Sequence, residues 1–157
     1  ESLTLNGNSL TGTLPTELGL MTAMYFCILG NNKFNGTVPT ELGNLTNLGY
    51  LYLEENSLTG TLPTELGNLV QLEELFINST NLTGSLPTSL SRLTNLFRFD
   101  FRNTSLTGSA TGTLCAGSTQ WDILHSDCLA TNGEVQMECD CCTGCCNADG
   151  DDCQETR

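Results

Sequence analysis

Large apolar residues recur every 24 positions along most of this chain. The clearest copy of the pattern, LGYLYLEENSLTGTLPTELGNLVQ, begins at Leu48. Apolar and polar residues alternate at the start of each copy, which predicts a short β-strand with one side in the core. Five glycines and all four prolines recur with the same spacing of 24 residues. They are Gly12, Gly36, Gly60, Gly84, Gly108, Pro15, Pro39, Pro63 and Pro87.

Stacking the copies on one another gives columns of equivalent residues. Two strand columns are apolar: Leu3, Cys27, Leu51, Leu75 and Phe99, then Leu5, Leu29, Leu53, Ile77 and Phe101. One copy cannot bury its leucines alone, but stacked coils share a continuous core with strands about 4.8 Å apart. A fixed period of this length therefore predicts a leucine-rich repeat solenoid. A polar column is expected to bond the backbone of the turn after each strand: Asn8, Asn32, Asn56, Thr80 and Thr104.

The copies resemble a known class of repeat. LTGTLPTELG in copy one, LTGTLPTELGNL in copy three and LTGSLPTSLSRL in copy four are similar to the LxGxIPxxLxxLxxL pattern of plant-type extracellular leucine-rich repeats. That class includes receptor-kinase ectodomains and inhibitors of cell-wall-degrading enzymes. The resemblance implies a right-handed α/β-type superhelix of mostly short parallel strands. It also implies a second short strand at LTGTLP and a convex side of 3₁₀ or loose turns.

Both ends of the chain depart from the repeat. The fifth copy has Ala110 in a leucine column and Thr111 in place of proline. The 24-residue step predicts a degenerate sixth strand at WDILH, with Ile123 in the column of Phe99 and Cys128 in the asparagine column. We divide the chain into five repeats over residues 1–114 and a degenerate sixth coil with a cysteine-rich cap over residues 115–157. The first coil starts on a strand, so upstream sequence or a partner is expected to cover it.

The nine cysteines fall into two groups. Cys27 lies in an inward column and is predicted to be a free buried thiol. The other eight are predicted to form disulfides that close the last coil: Cys115, Cys128, Cys139, Cys141, Cys142, Cys145, Cys146 and Cys153. Their end of the chain resembles the carboxy-terminal ends of secreted leucine-rich repeat proteins of algae such as diatoms.

We expect neither a zinc site nor a calcium site in this tail. The segment CDCCTGCC contains CxxC pairs, but no second separated pair or histidine partner completes a zinc site. The segment NADGDD offers oxygens that calcium could use, but Glu155 is too close to complete an EF-hand loop. We interpret it as a solvated acidic tail.

The acidic net charge and the N-glycosylation sequons limit the classes of protein to which this chain can belong. The 18 acidic residues outnumber the 5 Lys and Arg, which argues against a nucleic-acid partner. No apolar run approaches the roughly 18 residues of a membrane span. Five N-x-S/T sequons and the cysteine-rich end predict a glycosylated extracellular protein, secreted or at the cell surface. The sequons are at Asn35, Asn44, Asn78, Asn81 and Asn103.

No catalytic constellation is present, so we expect neither enzymatic activity nor a cofactor. The single histidine, His125, is interpreted as a capping residue at an inward or edge position.

The outward positions of the strands place aromatic and charged residues together on the predicted concave face. Exposed aromatic clusters usually mark an interface, although rings on a sheet also stabilise cross-strand pairs. The face is expected to run from aromatic and acidic to basic, with Arg92, Arg98 and Arg102 in repeat five. The candidate ligand-binding residues are Phe26, Ile28, Tyr50, Tyr52, Glu54, Glu74, Phe76, Arg98, Asp100 and Arg102.

A second surface consists of rows of small hydroxyl residues along LTGTLP. Such rows can bind ordered water or ice or pair edge to edge, although plant-type repeats often carry small polar residues there. The rows are Thr11, Thr59, Thr83 and Thr107, then Thr13, Thr37, Thr61, Ser85 and Ser109.

Three hypotheses for function follow. The leading one is a recognition or adhesion module that binds an extracellular protein or polysaccharide through its concave face. The second is a structural building block that stacks end to end through its open first coil. The third, which the resemblance allows, is an inhibitor of a secreted hydrolase.

Overall fold

The computed structural model describes residues 1–110, 113–115, 121–129, 137–138, 141–147 and 154–155. Within them the chain forms stacked coils, and each of the first four coils contains a strand, a second short strand and a 3₁₀ helix. The strands build two sheets, and those of the first five coils pair in parallel with their neighbours. This architecture confirms the predicted leucine-rich repeat solenoid.

The first sheet contains β1 (Ser2–Thr4), β3 (Phe26–Ile28), β5 (Tyr50–Tyr52), β7 (Glu74–Phe76), β9 (Arg98–Asp100), β11 (Ile123–Leu129), β13 (Gly144–Asn147) and β14 (Gln154–Glu155), in that order. The second sheet contains β2 (Thr11–Thr13), β4 (Lys33–Gly36), β6 (Ser57–Gly60), β8 (Asn81–Ser85), β10 (Ser105–Ser109) and β12 (Met137–Glu138). The 3₁₀ helices are Thr16–Leu20, Thr40–Asn44, Thr64–Asn68 and Thr88–Arg92. Each follows a proline, whose fixed φ is compatible with the start of a helical turn.

The core lies between the two sheets and the 3₁₀ helices. The first sheet pairs each residue with the one 24 positions later, as in Cys27 with Leu51 and Leu51 with Leu75. These inward side chains have no solvent exposure. The first coil packs on the second through β1 and β3, and its Leu5 and Leu10 remain 37% and 38% exposed. The stacking of coils is therefore what buries each leucine column.

Buried asparagines connect neighbouring coils. Asn56 donates from Nδ2 to the carbonyls of Leu29, Leu53 and Glu54 at 3.1 to 3.2 Å. Its Oδ1 accepts from the backbone N–H of Phe34 at 3.0 Å. Asn32 makes the equivalent contacts one coil earlier. One amide thus satisfies backbone groups of two coils that would otherwise be buried without partners.

The turns on the other side of the core require close approach of the coils. A Cβ atom at Gly43 would lie 2.5 Å from the backbone oxygen of Glu65 in the next coil. Only glycine leaves this space, so the TELG segment of the repeat sets how closely successive 3₁₀ helices pack.

The sixth strand is present, but its expected register is wrong by one residue. In β11, Leu124 rather than Ile123 pairs with Phe99, and Leu124 is fully buried. His125 consequently pairs with Asp100 on the outward side of the sheet. Cys128 lies within the strand rather than in the turn after it. The loss of the 24-residue step coincides with a segment of residues 110–121 that no longer follows the repeat sequence.

Disulfides hold part of the carboxy-terminal region. Cys115 and Cys141 are bonded, with an S–S distance of 2.07 Å and a sequence separation of 26. Cys142 is also disulfide-bonded and is buried beside Ser126. Cys27 is a free thiol in the core, where burial raises its pKa to about 12. Cys139 and Cys153 lie outside the described residues.

The asparagine contacts predict that Asn56→Ala and Asn8→Ala lower the free energy of unfolding by different amounts. Asn56→Ala should lower the free energy of unfolding by at least about 2 kcal/mol, because it orphans a buried N–H and several carbonyls. Asn8→Ala removes bonds to Leu5 and Asn6 that are exposed to water and should cost less than about 1 kcal/mol. Urea denaturation followed by circular dichroism measures both. Equal losses in the two variants would contradict this account.

Candidate functional site

Aromatic side chains form a continuous cluster on the outward side of the first sheet, which we call the open face. Phe26 stacks on Tyr50 with ring centroids 4.7 Å apart, and Tyr52 stacks on Phe76 at 4.6 Å. Tyr25 packs edge-on against Phe26 and Tyr50 at 4.9 and 5.5 Å. Such pairs each add about 0.5–1.5 kcal/mol to stability. The rings are nevertheless only partly covered, and Phe26 is 40% exposed.

Two carboxylates fix the phenols of this cluster. Glu73 accepts hydrogen bonds from the hydroxyls of Tyr25 at 2.7 Å and Tyr50 at 3.0 Å. Glu74 accepts a bond from Tyr52. The rings therefore present their faces and edges to solvent, while their hydroxyls point into carboxylates of the sheet.

These bonds change the acidity of the phenols. The hydrogen bond to Glu73 is the main cause that raises the pKa of Tyr25 to about 12, and burial adds to it. The same hydrogen bond, with burial, raises the pKa of Tyr50. Burial is the main cause that raises the pKa of Tyr52, followed by its bond to Glu74. All three groups remain neutral at physiological pH.

The arginines of the open face are paired with carboxylates of the same face. Arg98 contacts Glu74 at 3.1 Å and Asp122 at 3.5 Å, and its guanidinium lies 5.5 Å from the centre of the Phe76 ring. Arg102 donates from Nε to both oxygens of Asp100 at 2.9 and 3.1 Å.

This pairing corrects the expected charge gradient. Arg92 lies at the end of a 3₁₀ helix, away from the first sheet. Two carboxylates expected to face solvent, Glu74 and Asp100, are only 6% and 7% exposed. The basic end of the face is thus neutralised by its own ion pairs.

Glu54 differs from the other carboxylates of the open face. It is half-buried, and its carboxylate lies where a side chain at position 30 would project: a Cβ atom on Gly30 would be 2.1 Å from Oε1. Its Oε2 atom is buried and has no hydrogen-bond partner in the described part of the chain. Burial raises the pKa of Glu54, and the charges of Glu55 and Asp100 act in the same direction.

The histidine lies on the open face rather than at an inward position. His125 Nδ1 is 3.9 Å from Asp100 Oδ2. Burial lowers the pKa of His125 despite the opposing effect of Asp100. Among the described residues, no group of three or more His, Cys, Asp or Glu side chains is placed to hold a metal ion.

Sequence reasoning did not include Tyr25 and Glu73 among the site residues. They are 48 residues apart, and between them in the same column lies Gly49. A Cβ atom at Gly49 would be 2.6 Å from the Tyr25 ring, so the ring crosses this glycine to reach Glu73. A glycine in a column that otherwise holds larger side chains is the sequence signal that could have predicted the contact between Tyr25 and Glu73.

The sequons and hydroxyl rows occupy other surfaces. Asn35 and Asn81 lie on β4 and β8 of the second sheet, Asn44 ends a 3₁₀ helix, and Asn78 is half-buried beside the open face. Asn103 is exposed. The threonine and serine rows are exposed along the second sheet, and Thr59 and Thr83 donate to backbone oxygens of the preceding coil.

The repeat is also found by comparison with known proteins. The Leucine Rich Repeat family model matches residues 1–21, 47–69 and 71–93. The ectodomain of BIR2 from Arabidopsis thaliana is 31% identical with a TM-score of 0.66, over 68% of this chain and 56% of that chain. No curated protein matches the sequence.

Two further similar structures are those of a hormone receptor and of an ice-binding protein. The plant peptide hormone receptor RGFR1, solved in complex with RGF2, is 33% identical with a TM-score of 0.75, over 83% of this chain and 21% of that one. A plant ice-binding protein is 29% identical with a TM-score of 0.71, over 79% of this chain and 39% of that one. This chain spans between about a fifth and just over half of the length of these three structures.

The Glu73 contacts predict the behaviour of the tyrosines in a pH titration. All three tyrosines of the chain belong to the open face, so tyrosinate absorbance reports on this site alone. Glu73→Gln should lower the pKa of Tyr25 from about 12 toward the ordinary value of about 10. The pKa of Tyr50 should fall as well, while Tyr52, which bonds Glu74, should change little. Glu17→Gln, in an exposed turn, is the matched control, and an unchanged titration in Glu73→Gln would contradict the assigned contacts.

Proposed function

We propose that this chain is an extracellular recognition module that binds a protein or peptide through the open face of its first sheet. The observation that carries the proposal is the aromatic cluster, whose rings remain partly exposed although their hydroxyls are bonded to Glu73 and Glu74. Rigid aromatic surface of this kind contributes strongly to binding because little conformational entropy is lost. The receptor ectodomain solved in complex with RGF2 supports the choice of a peptide or protein ligand.

Secretion and glycosylation are part of this proposal. The disulfide between Cys115 and Cys141 favours an oxidising compartment. Independently of this proposal, none of the helices within the described residues has both the length and the hydrophobicity of a transmembrane segment. Asn35, Asn44, Asn81 and Asn103 are exposed sequon asparagines and are the proposed glycan sites. A glycan on the half-buried Asn78 would lie against the open face and block it.

Three other partners remain hypotheses. A polysaccharide ligand would use the same aromatic rings, since sugar rings also pack on aromatic faces. Inhibition of a secreted hydrolase would be one form of protein binding through this face. Self-association would use the first coil, where Leu5 and Leu10 are exposed.

Replacement of the rings tests the recognition proposal. The triple substitution Tyr50→Ala, Tyr52→Ala and Phe76→Ala should weaken capture of a partner from the extracellular fraction of the source organism by at least tenfold, or about 1.4 kcal/mol. The measurement is retention on the immobilised chain, followed by titration of the retained partner.

Two controls separate binding from folding in this experiment. The variant Leu20→Ala with Val70→Ala removes exposed apolar side chains away from the open face and should retain the partner fully. Phe26→Ala removes the most exposed ring of the cluster and should weaken binding without disturbing the core. A folded triple variant that binds like the wild type would refute the proposal.

A second candidate function is ice binding by the hydroxyl rows of the second sheet. Thr59 and Thr83 donate to the backbone oxygens of Gly36 and Gly60 at 3.3 and 3.4 Å, which fixes their hydroxyls in one orientation on successive coils. Repeated oxygens about 4.8 Å apart could order water on this surface. The solved plant ice-binding protein supports this candidate. Glycans on Asn35 or Asn81 would obstruct it.

Ice recrystallisation tests the second candidate. The wild-type chain without glycans should slow the growth of ice crystals, and Thr59→Tyr with Thr61→Tyr should abolish the effect because the bulky rings break the rows. Thr64→Tyr, on a 3₁₀ helix at another surface, should retain it. A wild-type chain with no effect on crystal growth would exclude this function.

A further inference from the structure

Among the described residues, the carboxylates Glu73, Glu74 and Asp100 of the open face are bonded to other side chains of the fold, and Glu54 is not. Glu73 accepts from two phenols, Glu74 from Tyr52 and Arg98, and Asp100 from Arg102. Glu54 accepts from no other residue of the described part, and its Oε2 atom is buried without a partner. The Glu54 carboxylate accepts a hydrogen bond from its own backbone N–H, which leaves Oε2 unsatisfied. An ionised carboxylate that has lost water without a full set of donors costs free energy, which a bound cation would recover.

The neighbouring strand shows what such a carboxylate accepts when a cation is present. Arg98 bonds Glu74 and places its guanidinium over the ring of Phe76. Tyr52 at the end of β5 and Glu54 in the turn after β5 form a second pair of an aromatic ring and a carboxylate. The next residue in the column of Glu54 is Asn78, which carries no charge. Within the described part of the chain, a guanidinium thus contacts the pair of Glu74 and Phe76 and none contacts the pair of Tyr52 and Glu54.

The space around Glu54 is set by a glycine. Gly30 is buried under the Glu54 carboxylate, which occupies the position that a side chain there would take. The carboxylate is therefore held against the sheet, beside the partly exposed Ile28 and Tyr52. Among the described residues, the arginines of the open face, Arg98 and Arg102, are already paired with carboxylates, which reduces their repulsion of an incoming positive charge.

We propose that Glu54 is the specificity-determining residue of the open face and receives an arginine side chain of a bound peptide. The guanidinium would bond the accessible side of the Glu54 carboxylate and stack against Tyr52, as Arg98 does with Glu74 and Phe76. Guanidinium groups suit this role because they are planar, always charged and stack on aromatic rings. This inference rests on the proposed function, since it names the ligand chemistry of the same face.

Peptide pools with one fixed central residue test the inference. Random heptapeptides centred on arginine, citrulline, lysine, leucine or glutamate are immobilised, and binding of the full chain to each pool is measured. Citrulline has the shape of arginine without its charge. The arginine pool should bind the wild type at least about tenfold better than the citrulline, leucine and glutamate pools. A lysine pool that binds as well as the arginine pool would overturn the choice of guanidinium.

Substitution at Glu54 provides the matched variants. Glu54→Gln should remove the preference for arginine and leave weak binding equal across the pools. Glu55→Gln removes the same charge from the adjacent exposed position and should keep the preference. Retention of the preference in Glu54→Gln, or binding of no pool by the wild type, would overturn the inference.

Stability gives a second readout on the same variants. The free Glu54→Gln variant should be at least as stable as the wild type at neutral pH, because a desolvated charge is removed. Lower thermal stability of this variant would show that Glu54 serves the fold instead. The triple aromatic variant separates the two proposals. If this variant no longer binds the captured partner, and the wild type shows no preference for the arginine pool, the recognition function stands and the role of Glu54 fails.

Discussion

The asparagine bonds between coils are the interaction on which the rest of the structure depends. Asn32 and Asn56 each hold the backbone of two successive coils at one separation. A leucine column is buried only if the coils keep that separation, and residues 24 apart face one another only if they keep the register. Where the column changes to threonine, the hydroxyl of Thr80 bonds Ile77 of its own coil. In these later coils the register is kept by the pairing of β7 with β9 and by the buried apolar column.

Fixed register explains how distant residues build one site. Tyr25 reaches Glu73 across 48 residues because the intervening coil contributes only Gly49, which leaves room for the ring. Glu54 lies flat on the sheet because the preceding coil contributes only Gly30. In both cases the glycine leaves a space that the side chain from an adjacent coil occupies. The open face is thus shaped by two glycines in columns that are otherwise occupied, as much as by its aromatic residues.

The sequence predicted the fold well because the fold is periodic. Columns of leucine, asparagine, glycine and proline specify the two sheets, the 3₁₀ turns and the inward residues, and the structure has each of them. The site was less predictable because contacts between charged side chains are not periodic. Glu74 is paired with Arg98, which reaches it from the next strand, and Asp100 is paired with Arg102 two residues later in the same coil. A column of equivalent residues reveals neither contact. The register of β11 was mispredicted where the period itself is lost.

The two kinds of carboxylate on the open face bear differently on stability and binding. An acid such as Glu73, bonded to two phenols, stabilises the free protein and offers a partner little, because a ligand must replace bonds that already exist. An acid such as Glu54, half-buried with one oxygen lacking a donor, makes the free protein less stable, and a partner of the proposed kind would recover that free energy. Buried groups that the fold does not satisfy are therefore where a recognition surface can gain specificity. On this face the described residues contain one such carboxylate, and it lies beside the exposed rings.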